Sequence, residues 1–466
     1  MTFNSFVFIV FFLVVYAGYL LLRRSRRAQN QLLLAASLAF YGYWNWRFLF
    51  LLLGTACIDY SVARAMETTS DPRRRRMFVS ISIIANLSVL GFFKYFNFFA
   101  ESFADVMSLF GSVHALTLRI VLPIGISFYT FQAMGYTIDV YRGVTRAEKS
   151  LLDFLVFVSF FPQLVAGPIS RSGRLLTQVK APRVIRMEQV DAGLWLLLWG
   201  YFKKVVIADN AALIAKPIFD DYASYHGLDI VIAALAFTVQ IYGDFSGYTD
   251  IARGLAKLLG FDLMLNFRLP YFARDPSDFW TRWHVSLSSW LRDYLYIPLG
   301  GNRKGPVRTY VNLALTMLLA GLWHGAAWNY VLWGAYHGLL LIVYRAMGWN
   351  ADPAVRGRWD PLRIAVMFVL VVIGWVFFAS RSAGQIFYML THAGIAATGE
   401  SWDRALWLAL FSAPLLLVQL YQHRKSDLLA PAGLPLAARA PLYAALFLGL
   451  FLFGVRQSVE FIYFQF

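Results

Sequence analysis

The chain has 466 residues, with 42 Lys plus Arg against 26 Asp plus Glu and a formal charge of +16. Charged residues make up only 15% and hydrophobic residues 59%, and the mean hydropathy is +0.56. Soluble globular chains carry about 25% charged residues, so a water-soluble protein is excluded, and an aromatic content of 17% excludes a disordered one. The basic residues are scattered between long apolar runs, which speaks against a nucleic-acid partner. The pattern suits a multi-pass protein in contact with membrane lipids, with its basic connectors in the cytoplasm. A single cysteine, Cys57, rules out an internal disulfide and a Cys-based metal cluster.

A spanning helix needs roughly 20 mostly apolar residues. The first candidate, Phe6 to Leu22, is followed by Arg23, Arg24, Arg26 and Arg27. A cleavable signal would carry its charge before the apolar stretch, so a retained span with its N-terminus outside is expected. Further expected spans are 31–46, 48–66, 77–95, 115–138, 188–208, 227–245, 308–322, 327–346, 362–380, 404–421 and 438–455. Alternating these 11–12 spans from an outside start puts the basic clusters at 23–27, 73–76, 303–308, 356–363 and 424–425 in the cytoplasm. Lys203 and Lys204 fit that scheme poorly. Either they snorkel, line a cavity, or mark a mis-drawn helix.

Two stretches are neither plain spans nor ordinary loops. Residues 150–187 begin apolar and break at Pro162, Gly167 and Pro168, and residues 246–300 mix Trp and Phe with Arg and Asp. Interrupted backbone at membrane depth is tolerated where protein or a wet cavity covers it. Both are therefore expected as re-entrant or interfacial segments around a cavity.

Seven histidines are present, and His114, His226, His392 and His423 lie in polar or connecting stretches. His324 is different: it ends Met317-Leu-Leu-Ala-Gly-Leu-Trp-His324, where two apolar spans meet. An imidazole at membrane depth is costly unless it pairs or lines a wet path. With an unperturbed pKa of ~6.5 it can act as a general base; the alternative is a helix-packing histidine. His284 lies in Phe279-Trp-Thr-Arg-Trp-His284, where helical spacing predicts Trp280, Trp283, His284 and Leu287 on one packing face. Arg282 and Arg292 beside these aromatics suit a phosphate-bearing, partly apolar ligand, but an interfacial amphipathic helix explains them equally. His337 follows His324 by thirteen residues, roughly 140° off its face even in a continuous helix, and is expected to support rather than catalyse. No HExxH pattern or Cys pair points to a metal, and no GxSxG or GxxxxGK[ST] motif points to serine-hydrolase or P-loop chemistry. Asp244 and Asp250 mark either a proton path or local pairing, with Arg253 or a helix cap as the partner. The chain ends in Phe461-Ile-Tyr-Phe-Gln-Phe466, four aromatics in six residues.

Several motifs together resemble the membrane-bound O-acyltransferase family, and within it the bacterial branch that acetylates alginate and related envelope polysaccharides. They are Ser159-Phe-Phe-Pro-Gln-Leu-Val-Ala-Gly-Pro-Ile-Ser-Arg171, Asp244-Phe-Ser-Gly-Tyr-Thr-Asp250, Asn266-Phe-Arg-Leu-Pro-Tyr271, Asp278-Phe-Trp-Thr-Arg-Trp-His-Val-Ser-Leu-Ser-Ser289 and Leu322-Trp-His-Gly325. The resemblance covers roughly residues 30–345 and the C-terminus. It implies one all-α polytopic domain over 1–466, with core motifs at about 120–345, a periplasmic tail at 456–466, and a central tunnel in the bacterial inner membrane.

By that resemblance His324 matches the family's catalytic histidine and His284 its second characteristic position. Tyr463 resembles a C-terminal acyl relay, and Trp323, Arg282, Trp283, Asp244, Asn266 and His337 are candidates for lining the substrate path. Acetyl-CoA is the expected donor substrate, with no bound cofactor and no metal. A periplasmic acetyltransferase is the expected partner and a polysaccharide the expected acceptor. D-alanyl transfer, a polysaccharide or ion transporter, and a non-catalytic export scaffold remain as alternatives.

Overall fold

A computed structural model gives the architecture and describes residues 1–110, 117–350, 357–455 and 461–462. Among the described residues there is no β-strand, only an isolated bridge between Gly227 and Ala393. The protein is all-α and integral to the membrane. The expected apolar stretches other than 115–138 fall on helices, and among the described residues six helices are both long and apolar enough to cross a bilayer by themselves. These six are Arg47–Glu67, Pro72–Ser108, Leu228–Leu258, Asp360–Ala379, Gly399–Lys425 and Leu436–Phe453. The others are shorter or carry polar residues, as in Arg26–Asn45, which begins with Arg26 and Arg27 and buries Gln29 and Asn30.

Three expectations are corrected. The stretch 115–138 is helical only over Ile126–Tyr141, because Pro123 lacks an N–H and Gly125 is left-handed (φ 77°), so the helix starts after them. The segment 246–300 is not interrupted from its start, since Leu228–Leu258 is one continuous helix. The aromatic-rich stretch around His284 is not a single helix either. Pro276–Arg282 ends at an extended Trp283, His284 turns left-handed (φ 43°), and Val285–Leu291 starts afresh.

The chain forms two compact units. The first comprises Met1–Gly193 and Ala252–Met264. Its core is aromatic, with Phe154, Phe157, Phe160 and Phe161 fully buried. The Leu151–Ser159 helix ends at Phe160, and a tight turn follows in which Gly167 N–H donates to Gln163 O at 2.8 Å. A polar thread runs through this turn: Ser170 Oγ donates to Gln163 Oε1 (2.7 Å), and Gln163 Nε2 donates to Gln132 Oε1 (2.8 Å). The chain break foreseen at Pro162–Pro168 is thus present, and its buried amides are satisfied by protein. Elsewhere in the unit the buried Asp59 accepts from Ser82 Oγ and from Asn86 Nδ2 at 3.0 Å. That arrangement keeps a carboxyl group tolerable among helices by supplying donors.

The second unit comprises Leu194–Ile251 and Leu265–Phe466. Its tightest hairpin joins Gly305–His324 to Trp328–Ala346 through Gly325-Ala-Ala327. A Cβ on Gly321 would lie 2.1 Å from Tyr330 O, and one on Gly334 would lie 2.3 Å from Met317 O. Only bare backbone permits this approach, the usual device for close helix packing without a hydrophobic driving force. The hairpin delivers His324 at the C-terminal end of the first helix and His337 on the second.

Candidate active site

All three motif histidines lie in the second unit and are buried, with His284 at 0%, His337 at 1% and His324 at 3% exposure. The imidazoles of His284 and His324 are neighbours, with ring centroids 6.4 Å apart and planes inclined at 62°. Trp323 sits against both, 5.8 Å from the His284 ring and 5.1 Å from His324. Around His324, Trp333 (5.0 Å) and Phe378 (5.4 Å) stand edge-on. Trp333 also abuts His337 at 4.8 Å, and Phe279 stacks on the His337 ring at 5.9 Å with the planes within 7°. Neither ring nitrogen of His337 has a hydrogen-bond partner among the described residues.

His284 is held by its backbone. A non-glycine residue at φ 43° is uncommon, though His is among the residues that tolerate it, and such strain persists only where the surroundings fix it. Asn266 does the fixing. Its carbonyl accepts from Val285 N–H (2.9 Å) and its side-chain Oδ1 from Ser286 N–H (3.3 Å). Ser288 closes the other side, its Oγ donating to the carbonyls of Trp283 (3.0 Å) and His284 (3.1 Å). The turn aims the imidazole at Phe245, whose ring lies 4.8 Å away. Asn266, expected along the substrate path, therefore acts on the geometry of His284.

The structure does not bring every sequence candidate to the histidines. Trp283 packs on Trp375 at 4.7 Å and on Phe267 at 4.9 Å, in the aromatic wall behind His284. The Arg282 guanidinium turns to Asp278 Oδ1 (2.6 Å) and the Arg268 carbonyl (3.3 Å), which ties two segments together. Arg292 pairs with its neighbour Asp293 at 2.8 Å and is mostly exposed. Asp244 belongs to a separate buried charge cluster. Lys204 Nζ lies 2.6 Å from Asp244 Oδ1 and 2.8 Å from Asp209 Oδ1, while Lys203 Nζ reaches Asp250 Oδ2 (2.7 Å) and Ser246 Oγ (2.9 Å). The two lysines sit in a π-helical turn, Phe202–Ala208, which buries both side chains. Their awkward place in the topology is explained by Asp244 and Asp250 on the facing helix and by Asp209 just after the turn. Tyr463 lies outside the described residues, as does His114.

Trp333 and Phe378 frame His324 and Trp375 backs Trp283, none of them singled out in the sequence, while Trp280, expected on the packing face of His284, stands 5.3 Å from the His337 ring. Trp333 stands four residues before His337 on the same helix, a spacing that marks a shared face. Phe378 and Trp375 come from the distant Asp360–Ala379 helix, where nothing local distinguishes them from other apolar residues. Among the described residues, no group of three His, Cys, Asp or Glu side chains could hold a metal ion.

Comparison with known proteins now decides the class. The model of the membrane-bound O-acyltransferase family matches residues 6–383. The chain belongs to that family. It is an O-acyltransferase, and the two neighbouring histidines lie inside the matched region. It is 43% identical over 443 residues to the probable alginate O-acetylase AlgI of Pseudomonas syringae pv. tomato, covering 92% of this chain and 84% of that protein. It is 37% identical over 412 residues to the peptidoglycan O-acetyltransferase of Helicobacter pylori, covering 82% and 77%. The teichoic acid D-alanyltransferase of Streptococcus thermophilus is more distant, at 31% over 284 residues, covering 55% of this chain and 68% of that protein.

Proposed function

We propose that this protein resides in a bacterial inner membrane and moves acetyl groups from cytoplasmic acetyl-CoA toward O-acetylation of an envelope polysaccharide, alginate or a related glycan. The observation that carries the reading is the buried, ring-framed pair His284 and His324. The longer and closer match to an alginate O-acetylase than to a D-alanyltransferase favours acetyl over D-alanyl transfer.

In this reading His324 is the general base. It takes the proton of an acceptor hydroxyl while that oxygen attacks the thioester carbonyl. The C–S bond then breaks, and the proton passes from the imidazolium to the departing thiolate. A base of this kind contributes roughly 10²–10⁴-fold, and the aromatic frame excludes water that would otherwise hydrolyse the thioester. His284, oriented by its Asn266-clamped turn, positions the thioester or the acceptor.

Tyr463 is the proposed first acceptor. A phenol, with a pKa of ~10, is a better leaving group than a sugar hydroxyl, so acetyl-tyrosine retains transfer potential. A periplasmic acetyltransferase partner would then deliver the acetyl group to the polymer.

The test uses purified protein in liposomes, given acetyl-CoA labelled in the acetyl group. Label on Tyr463 in mass spectra supports the relay, and undiminished transfer by Tyr463→Phe excludes it. Failure to consume acetyl-CoA alongside transport of polysaccharide would overturn the enzymatic reading.

A further inference from the structure

The buried charge cluster of the second unit has a contact that neutralisation alone does not require. Three carboxylates, Asp209, Asp244 and Asp250, face two ammonium groups, Lys203 and Lys204. A carboxylate offers two oxygens, and an ammonium group on one leaves the other open to a further hydrogen-bond donor. That donor comes from the far end of the chain: Ile462 N–H donates to Asp244 Oδ2 at 2.8 Å. Phe461 and Ile462 are 8% and 3% exposed. The Phe461 ring lies 4.5 Å from that of Tyr248, one helical turn beyond Asp244, and Lys204 Nζ lies 5.2 Å from the Phe461 ring centroid.

The same element also grips the chain where it leaves the Leu436–Phe453 helix. Val455 N–H donates to Val205 O at 3.2 Å, and Asn210 Nδ2 donates to Phe453 O at 2.9 Å. Thus the π-helical turn, the Asp209–Asp220 helix that continues it and the facing helix hold the C-terminal segment at two points, residues 453–455 and residues 461–462. π-helical turns inside longer helices recur at functional sites. Here the turn brings two consecutive lysines into one buried cluster.

We propose that Asp244 and Lys204 form a latch that holds the C-terminal segment by its main chain at Ile462. They are thereby positioning residues for the residue that follows. The latch rests on these contacts, and only its consequence for acetyl transfer rests on the function proposed above. A carboxylate-to-amide bond reads no side chain, so it holds the main chain at Ile462 whatever side chain stands there.

The test is accessibility of the tail in the full-length protein. In a Cys57→Ser background, a reporter at Gln465→Cys is labelled with a membrane-impermeant maleimide in proteoliposomes. Ile462→Pro deletes the N–H donor and leaves all five charges in place. Asp244→Asn keeps the shape and removes the charge. Ile462→Ala keeps the donor.

A hydrogen bond to a charged group supports a rise in labelling rate of about 10- to 100-fold for Ile462→Pro and Asp244→Asn, with Ile462→Ala near the parent. Ile462→Pro should also melt with the parent, because the ion pairs remain; if Asp244→Asn does not accumulate, this variant carries the test. Equal labelling of the parent and Ile462→Pro would overturn the latch. So would a Tyr463→Phe variant that releases the tail as fully as Ile462→Pro, since a side chain would then be the anchor. A released tail with undiminished acetyl transfer would sink the relay and leave the latch standing.

Discussion

Two buried polar clusters occupy the second unit, and they solve the problem of burial in opposite ways. Around Lys203 and Lys204, charged groups are neutralised by opposite charges at 2.6–2.8 Å. Around His284 and His324, the groups are imidazoles set among the rings of Trp323, Trp333, Phe378 and Phe245. Charges that must stay charged need partners fixed in place, which makes the first cluster a fastening. An imidazole is neutral at rest and becomes charged only when it takes a proton. A ring-lined setting therefore suits a group whose charge appears during the reaction.

The comparison breaks first where removal of one partner should do most harm. Lys204→Met strands Asp244 and Asp209 together in a buried site, so it should cost about 3–5 kcal/mol, the usual penalty for breaking a buried pair. Thermal melts in detergent should show a large drop or no folded protein. A stability matching the parent would mean that the cluster is not a fastening.

Gly334→Ala comes next, since its Cβ would fall 2.3 Å from Met317 O and must push the hairpin apart. About 1–3 kcal/mol of overpacking is expected, together with loss of transfer as His324 and His337 shift. An unchanged rate would show that hairpin spacing does not set the imidazole geometry.

Asn266→Ala sharpens the contrast at the histidines. It removes the side-chain acceptor of Ser286 N–H and loosens the left-handed turn at His284. A stability loss of about 1 kcal/mol is expected, with a larger relative loss in the rate of transfer. Equal falls in Asn266→Ala and in a variant remote from the turn would remove its positioning role.

The smallest effect lies outside the spans, at Asp262. Burial pushes its carboxyl up, but Arg174 and Lys257 outweigh burial and hold it below the ordinary range. Because the folded value is depressed, its contribution is complete above the unfolded value of about 3.9 and fades as pH falls through the folded value. The difference in melting temperature between the parent and Asp262→Asn should therefore be constant from pH 7 to pH 5 and shrink as the pH is taken below about 3.9; a difference that does not shrink would contradict the pairing.

Much of the fold was legible because apolar length and helical period are local signals. The apolar stretches other than 115–138, the break at Pro162–Pro168 and the His324 junction all come from runs of a few residues to twenty. The helix continuing through 246–258 was not legible, because Asp244 and Asp250 look like helix-breaking polarity until Lys203 and Lys204 are found opposite them. The left-handed turn at His284 was hidden for a similar reason. A helical wheel fits Trp280, Trp283 and Leu287, whereas the turn is imposed by Asn266, eighteen residues earlier. Phe378 reaches His324, and Trp375 reaches Trp283, only through packing of a distant helix.

The central claim is that the His324 imidazole is the base for acyl transfer. Its most direct test is the initial rate of CoA release from acetyl-CoA by purified protein in liposomes, comparing the parent with a His324→Ala variant shown to be folded and inserted. The account predicts a fall of about 10²–10⁴-fold with little change in melting temperature. A folded His324→Ala protein that releases CoA at the parent's rate would contradict it.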